Sequence, residues 1–345
     1  VPLYSVVSGR HHLHFTYPPF AALFAAVLSA LPLWLAKLGL SVLTAAALLI
    51  ALRVFVRRVE QESGRFALPM TALSFGVAIW LEPVRATFAF GQVNVLLMCL
   101  VLLDLLSADA RKWGGIGIGL AGAIKLTPLA FVPYLFLTGR VRQGLTAIAT
   151  FVICGLIGAA VDPSASKVYW WHHRFLSAHR IGRVENASNQ SIRGILARLL
   201  RTQDVPSWWL AVAILIFIAG LWLARHAHGG GREPEAIVVV AVAMLCASPV
   251  SWSHHWVWCA PIGIVCVDVA RRHSSGLVIA GSIAVMAPFV LGLVFWPPHT
   301  AHLELHDSVF QQILSATYVL AGLLACALIA YDLWRRSEQL EGLHT

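Results

Sequence analysis

Ser248-Pro249-Val250-Ser251-Trp252-Ser253-His254-His255-Trp256-Val257-Trp258 divides two apolar runs, Ala236–Ser248 and Trp256–Ala270, each close to the length of a membrane helix. Pro249 ends the first run, because proline has no N–H for the helical ladder and biases the residue before it away from helix. His254 and His255 are thereby expected where chain, lipid headgroups and water meet, among Trp252, Trp256 and Trp258. Tryptophan is ordinary at that depth. Paired imidazoles are not, since ionisable groups near a membrane are rare and tend to mark function. The plainer reading is two surface imidazoles at a helix end.

The composition supports this frame. The 345-residue chain is 59% hydrophobic and only 12% charged, with a mean hydropathy of +0.76. Soluble domains carry about a quarter charged residues. The whole chain, residues 1–345, therefore reads as one all-α polytopic membrane domain in contact with the lipid bilayer. Its net charge of +9 fits basic loops on the cytoplasmic side and no nucleic-acid partner. The six cysteines form no CxxC pair, so neither a disulfide framework nor a zinc site is expected. They read as small apolar packers.

Along the chain, Phe20–Ala36 is apolar but broken at Pro32 and fits an interfacial helix. Leu38–Val56 spans and ends in Arg53, Arg57, Arg58 and Arg65, which places that end inside. Leu68–Leu81 then runs out, and Val93–Leu106 returns to Arg111 and Lys112. Gly114–Thr138 has basic residues at both ends, so a single crossing would put one set outside. A broken hairpin with Lys125-Leu126-Thr127-Pro128 at its tip satisfies the rule, and broken helices are how membrane proteins build polar sites. Leu145–Val161, Trp208–Ala224, Ala236–Ser248, Trp256–Ala270, Leu277–Trp296 and Phe310–Leu333 alternate direction, leaving the C-terminus cytoplasmic. This orientation needs a membrane helix before Val1, so an N-terminal truncation is expected.

The long external loop, residues 162–206, carries Lys167, Arg174, Arg180, Arg183, Arg193, Arg198 and Arg201. Guanidinium forks suit phosphate, although a long translocated loop also escapes the charge bias. Within it, Glu185-Asn186-Ala187-Ser188-Asn189-Gln190-Ser191 sets a carboxylate among amides and hydroxyls, the apparatus for gripping sugar hydroxyls. Lys125 would cost about 2.5–3.5 kcal/mol at membrane depth. Such a residue at a helix break can neutralise a lipid phosphate, or snorkel to the interface. Arg85, Gln92 and Asn94 make a further polar group that either meets a ligand or caps helix ends. Two patterns carry less. Gly117-Ile118-Gly119-Leu120-Ala121-Gly122 has no preceding strand and reads as a helix-packing surface. His299, His302 and His306 with Glu304 have helical spacing but no carboxylate cage, so no metal is expected.

Taken together, Phe15-Thr16-Tyr17-Pro18-Pro19, Gly91-Gln92-Val93-Asn94, the hairpin tip at Lys125, the Glu185–Ser191 loop and the Ser248–Trp258 stretch resemble glycosyltransferase family 87. The resemblance runs from about Leu3 to Leu333. It implies a GT-C-like helical bundle with broken helices, extracytoplasmic loops and an active site open to the outer face of the cell membrane. It further implies an α-(1→2)-mannosyltransferase using polyprenyl-phosphate-mannose, with a phosphatidylinositol mannoside or lipomannan-type acceptor, an inverting displacement and no cofactor. In the family a catalytic aspartate precedes the Tyr-Pro-Pro motif, and no acidic residue precedes Tyr17 here. An inverting transfer needs a base for the acceptor proton, and His254, His255 and Glu185 are the candidates present. Lys125, Arg85, Gln92, Asn94, Tyr17, Asn189, Ser191 and Arg193 are the expected donor-phosphate and substrate contacts.

Other readings stay open. Arabinofuranose transfer uses a similar donor. A flippase for a lipid-linked sugar would also use broken helices and buried cations, but predicts pseudo-repeated halves, which the sequence lacks. A non-catalytic scaffold is a third.

Overall fold

The computed structural model describes residues 3–5, 7–8, 13–60, 67–107, 110–174, 182–300 and 302–342. It is a helical bundle; among the described residues the one strand pair is Val7–Ser8 with Leu13–His14, antiparallel. The central pillar is the helix Glu233–Ala247, buried from Glu233 through Cys246. An apolar sequence with no polar face has to be covered on all sides. Trp209–Gly229, Thr317–Gly342 and Cys259–His273 pack around it. Pro234 suits its first turn, where Glu233 and Glu235 also complement the helix dipole.

Among the described residues, four helices are long and apolar enough to cross a membrane: Leu33–Val59, Val141–Val161, Trp209–Gly229 and the Thr317–Gln339 stretch. Ala67–Trp80 and Glu82–Ala89 form one further candidate span, bent by 70° where Pro83 follows Glu82. The other apolar runs fold as helices too short for a full span, and the expected Leu277–Trp296 run ends as a helix at Leu291. Asn94–Leu106 has 13 residues, Glu233–Ala247 15 and Gly276–Leu291 16. A 15-residue helix rises about 22 Å, against a hydrocarbon core of about 30 Å. Such helices are tolerated because protein, rather than lipid, satisfies the backbone beyond their ends.

One end of the bundle is stitched by charge. Arg272 bonds Asp332 (3.0 Å) and Glu235 (3.2 Å) and pairs with Asp268, joining three helices. Arg271 reaches Glu60 at 2.8 Å, and Arg140 reaches Glu233 at 2.7 Å. The opposite end carries Ser248–Trp258 and the long loop. That loop contains short helices at Pro163–Ser166 and Ile192–Leu199, and Arg180 lies outside the described residues.

Between Trp113 and Val141 the chain makes a hairpin. Ile116–Ile124 rises beside Val141–Val161, the turn Thr127–Ala130 reverses it, and Phe131–Leu137 comes back. Gly115, at the start of the first arm, abuts Gln143 and Ala147; Phe136, near the end of the second, abuts Gly144. Both arms therefore meet the first turns of the same long helix. The nine-residue first arm rises about 13 Å, so Lys125 stands roughly half a membrane's depth from that end. Asp104 anchors the first arm: its carboxylate accepts from the Gly115 and Ile118 N–H groups, both at 2.8 Å.

The first arm needs glycine for its approach. A Cβ at Gly119 would lie 2.4 Å from the Ala147 carbonyl oxygen and 2.6 Å from Thr150 Cβ, whereas a Cβ at Gly155 would meet nothing within 4 Å. Gly119→Val is therefore expected to push the hairpin off its helix and destabilise the detergent-solubilised protein by about 1–3 kcal/mol or more. Gly155→Val should leave the thermal midpoint near that of the parent. Equal midpoints for all three would contradict this packing.

Candidate active site

Where the hairpin tip faces the Ser248–Trp258 stretch there is a small cavity of about 30 Å³. Asn94, Lys125, Thr127, Ser248, Ser251 and His255 supply its polar lining; Met98, Phe131, Leu245 and Trp258 are among the apolar walls. Among the described residues, no carboxylate lines it.

Each polar group reaches the cavity through a break in a helix. Lys125 has an extended backbone (φ −150°, ψ 126°) where Ile116–Ile124 stops and Pro128 follows. Its Nζ donates to Asn94 Oδ1 at 2.8 Å. Asn94 opens the helix Asn94–Leu106, and its Nδ2 donates to the His254 carbonyl at 3.0 Å. The Thr87 hydroxyl donates to the same carbonyl at 3.2 Å. The histidines lie on a 3-10 turn, Ser253–Trp258, with ring centroids 4.8 Å apart and nearly perpendicular. His255 lines the cavity; His254 is buried against Phe90, ring centroids 5.6 Å apart.

Tyr17 covers Lys125, its ring centroid 5.9 Å from Nζ, within range of a cation–π contact. Its hydroxyl donates to Gln92 Oε1 at 2.8 Å. Tyr17, Gln92, Asn94, Lys125, His254 and His255, drawn from four distant stretches of sequence, are thus brought together.

The remaining expected site residues are placed elsewhere. Asn189 and Ser191 turn inward rather than offering polar groups to a sugar. Asn189 Nδ2 donates to the Val184 carbonyl (2.8 Å), and its Oδ1 accepts from Ser251 N (2.9 Å) and the Ser191 hydroxyl (3.0 Å). Ser191 also caps Ile192–Leu199, accepting from Gly194 N at 3.1 Å. Glu185 is fully buried and pairs with His302 Nδ1 at 2.7 Å, outside the cavity lining. His302 therefore faces Glu185, not a cluster with His299 and His306. Arg85 is exposed on Glu82–Ala89, and Arg193 stacks over Trp209 at 5.3 Å; neither lines the cavity.

Of the loop arginines, Arg198 is structural. It is 1% exposed and donates to the carbonyls of Asn186 (3.1 Å), Asn189 (3.2 Å) and Ser315 (3.0 Å). Burial pushes its pKa down to about 10, opposed by the carboxylates of Asp307, Glu304 and Glu185, so it stays charged at neutral pH.

Sequence reasoning overlooked Glu82. Its carboxylate accepts from the Tyr318 hydroxyl at 2.7 Å and the Ser253 hydroxyl at 3.1 Å, tying the histidine turn to two helices. An acidic residue inside an apolar run was the available signal.

Residues 15–249 match the model of glycosyltransferase family 87. A polyprenol-phosphate-mannose-dependent alpha-(1-2)-phosphatidylinositol mannoside mannosyltransferase of Mycolicibacterium smegmatis is 34% identical over 333 residues, 90% of this chain and 74% of its own. Its namesake in Mycobacterium tuberculosis is 34% identical over 265 residues, 74% of this chain. A phosphatidylinositol pentamannoside mannosyltransferase of M. tuberculosis, also polyprenol-phosphate-mannose-dependent and alpha-(1-2), is 35% identical over 275 residues, 78% of this chain. The matched region spans 62% of the length of each of the two M. tuberculosis proteins. No solved structure matches the chain. The matched stretch holds Tyr17, Gln92, Asn94 and Lys125, whose side chains form one chain of contacts ending in the cavity lining, and with it the chain belongs to glycosyltransferase family 87.

Proposed function

We propose that this chain transfers mannose from polyprenyl-phosphate-mannose to a mannosylated phosphatidylinositol or lipomannan-type acceptor, with inversion, at the extracytoplasmic end of the bundle. The observation that carries the reading is Lys125: one amino group, held by Asn94, in a cavity that no carboxylate lines among the described residues. A cation so placed favours an anion, and a lipid-linked sugar phosphate is the anionic donor named in the family's curated relatives.

The chemistry follows from that arrangement. An acceptor hydroxyl attacks the anomeric carbon on the face opposite the phosphate, its proton passes to a base, and the anomeric C–O bond to phosphate breaks. Negative charge grows on the departing phosphate, so a fixed ammonium contributes most in the transition state. Lys125 takes this role; Asn94 and Tyr17 fix its position. His255, the imidazole of the cavity lining, stands beside the reacting sugar and accepts or relays the acceptor proton. His254 acts through its backbone: the Asn94 and Thr87 bonds to its carbonyl set the turn that presents His255. Gln92 holds Tyr17 through its hydroxyl, and Asn189, bonded to Ser191, supports the Ser251 wall of the cavity.

The orientation rests on the basic ends of the long helices, including Arg57 and Arg58, Arg271 and Arg272, and Arg335 and Arg336. A green fluorescent protein fused after Thr345 should fluoresce, and alkaline phosphatase fused there should be inactive. The reverse pattern would place the cavity on the cytoplasmic side and sink the assignment.

Transfer is tested in membranes supplied with radiolabelled polyprenyl-phosphate-mannose. The parent should form a new mannolipid. Lys125→Ala should lower turnover about 100-fold and His255→Ala at least tenfold, at unchanged thermal midpoints. Donor moved across the bilayer without new product would favour a flippase instead, and full activity in Lys125→Ala would remove the lysine from the mechanism.

A further inference from the structure

Three serines of the Ser248–Ser253 stretch have different fates. The Ser248 hydroxyl donates to the Val250 carbonyl at 2.8 Å, and the Ser253 hydroxyl donates to Glu82 at 3.1 Å. Ser251 is 0% exposed, lines the cavity with Lys125 and His255, and its Oγ has no hydrogen-bond partner. A buried hydroxyl without a partner is costly, and in native proteins such a group asks for an explanation.

The backbone around Ser251 is held firmly. Its N–H donates to Asn189 Oδ1 at 2.9 Å, its carbonyl accepts from Gln190 N at 2.6 Å, and the next residue, Trp252, forms a bridge with Asn189. Gln190 is itself fastened: its Nε2 donates to the carbonyls of Ala187 and Ser315, both at 2.6 Å. The Asn189 side chain and the Gln190 backbone thus fix the Ser251 backbone on both sides and leave its hydroxyl unbonded. The neighbouring Asn94 amide in the lining is fully used. Asn94 uses its oxygen on Lys125 and its nitrogen on the His254 carbonyl.

We propose that the Ser251 hydroxyl is a substrate-binding donor, which together with Lys125 holds a phosphate oxygen of the lipid-linked sugar; Asn189 and Gln190 are the residues that position it. This rests on the transferase reading above. The lysine decides between phosphate and sugar hydroxyl as the target: with a cationic side chain on one wall and, among the described residues, no carboxylate in the lining, the cavity favours an anion. A hydroxyl donated to a charged oxygen makes one of the stronger hydrogen bonds. It strengthens as charge collects on the leaving phosphate.

The test compares the parent with Ser251→Ala, Ser251→Cys and Ser251→Thr in lipid nanodiscs. Three quantities are measured: affinity for polyprenyl monophosphate, affinity for the uncharged polyprenol, and kcat/KM for mannose transfer. Alanine removes an oxygen that bonds nothing in the protein, so the thermal midpoint should hold. Polyprenyl phosphate affinity and kcat/KM should each fall about tenfold or more, polyprenol affinity should not change, and threonine should recover most of the loss. Cysteine, which fills the space with a poor donor, should behave as alanine does. Parent-like phosphate affinity in both the alanine and cysteine variants would overturn the proposal, as would an equal loss for phosphate and polyprenol. A parent chain that binds polyprenyl phosphate yet transfers no mannose would instead overturn the transferase reading, while the affinity ratio would still decide the role of Ser251.

Discussion

The hydrogen bond from Lys125 to Asn94 is the contact on which the arrangement of the site depends. A lysine brought to membrane depth has to find an acceptor or reach water. Here the acceptor is an amide oxygen at 2.8 Å. An amide gives the lysine an acceptor without the counter-charge a carboxylate would bring. Because the same amide donates to the His254 carbonyl, one side chain couples the hairpin tip, the helix Asn94–Leu106 and the histidine turn. Displacing any of the three moves the other two.

That contact requires a bundle whose parts do not all cross the membrane. The first arm of the hairpin stops after nine residues, and the helices around the cavity run 13 to 15 residues. Each leaves terminal backbone groups that lipid could not satisfy. At the charged end Asp104 accepts two of the N–H groups opening the first arm, and the Arg272 network locks the neighbouring helix ends. At the other end the long loop folds back: Arg198, Asn189 and Gln190 absorb carbonyls and N–H groups that the broken helices expose. The polar loop covers the core and braces, from behind, the Ser251 segment that lines the cavity.

Much of this was legible in the residues. Basic residues at both ends of Gly114–Thr138 required a hairpin with Lys125 near its tip, because the charge rule is an insertion rule and holds locally. Pro249 marked the end of the central pillar, and the Tyr-Pro-Pro, Gly-Gln-Val-Asn and His-His motifs marked three of the strands of sequence that meet at the lysine. What could not be read was direction. Asn189 and Ser191 have the composition of a sugar-binding loop, yet a side chain in a loop can face a ligand or its own backbone, and these face the backbone. Helix lengths were also overestimated for Leu277–Trp296, since hydropathy does not distinguish lipid contact from burial in protein. Glu82 escaped notice because its partners, Tyr318 and Ser253, lie far away in sequence.

The most direct test of the account is a cryo-EM map of the chain with polyprenyl monophosphate bound. The phosphate should sit in the cavity within hydrogen-bonding distance of Lys125 Nζ, with His255 facing the space beside it. Phosphate density at the exposed loop arginines, with the Lys125–Asn94 bond intact and the cavity empty, would contradict it.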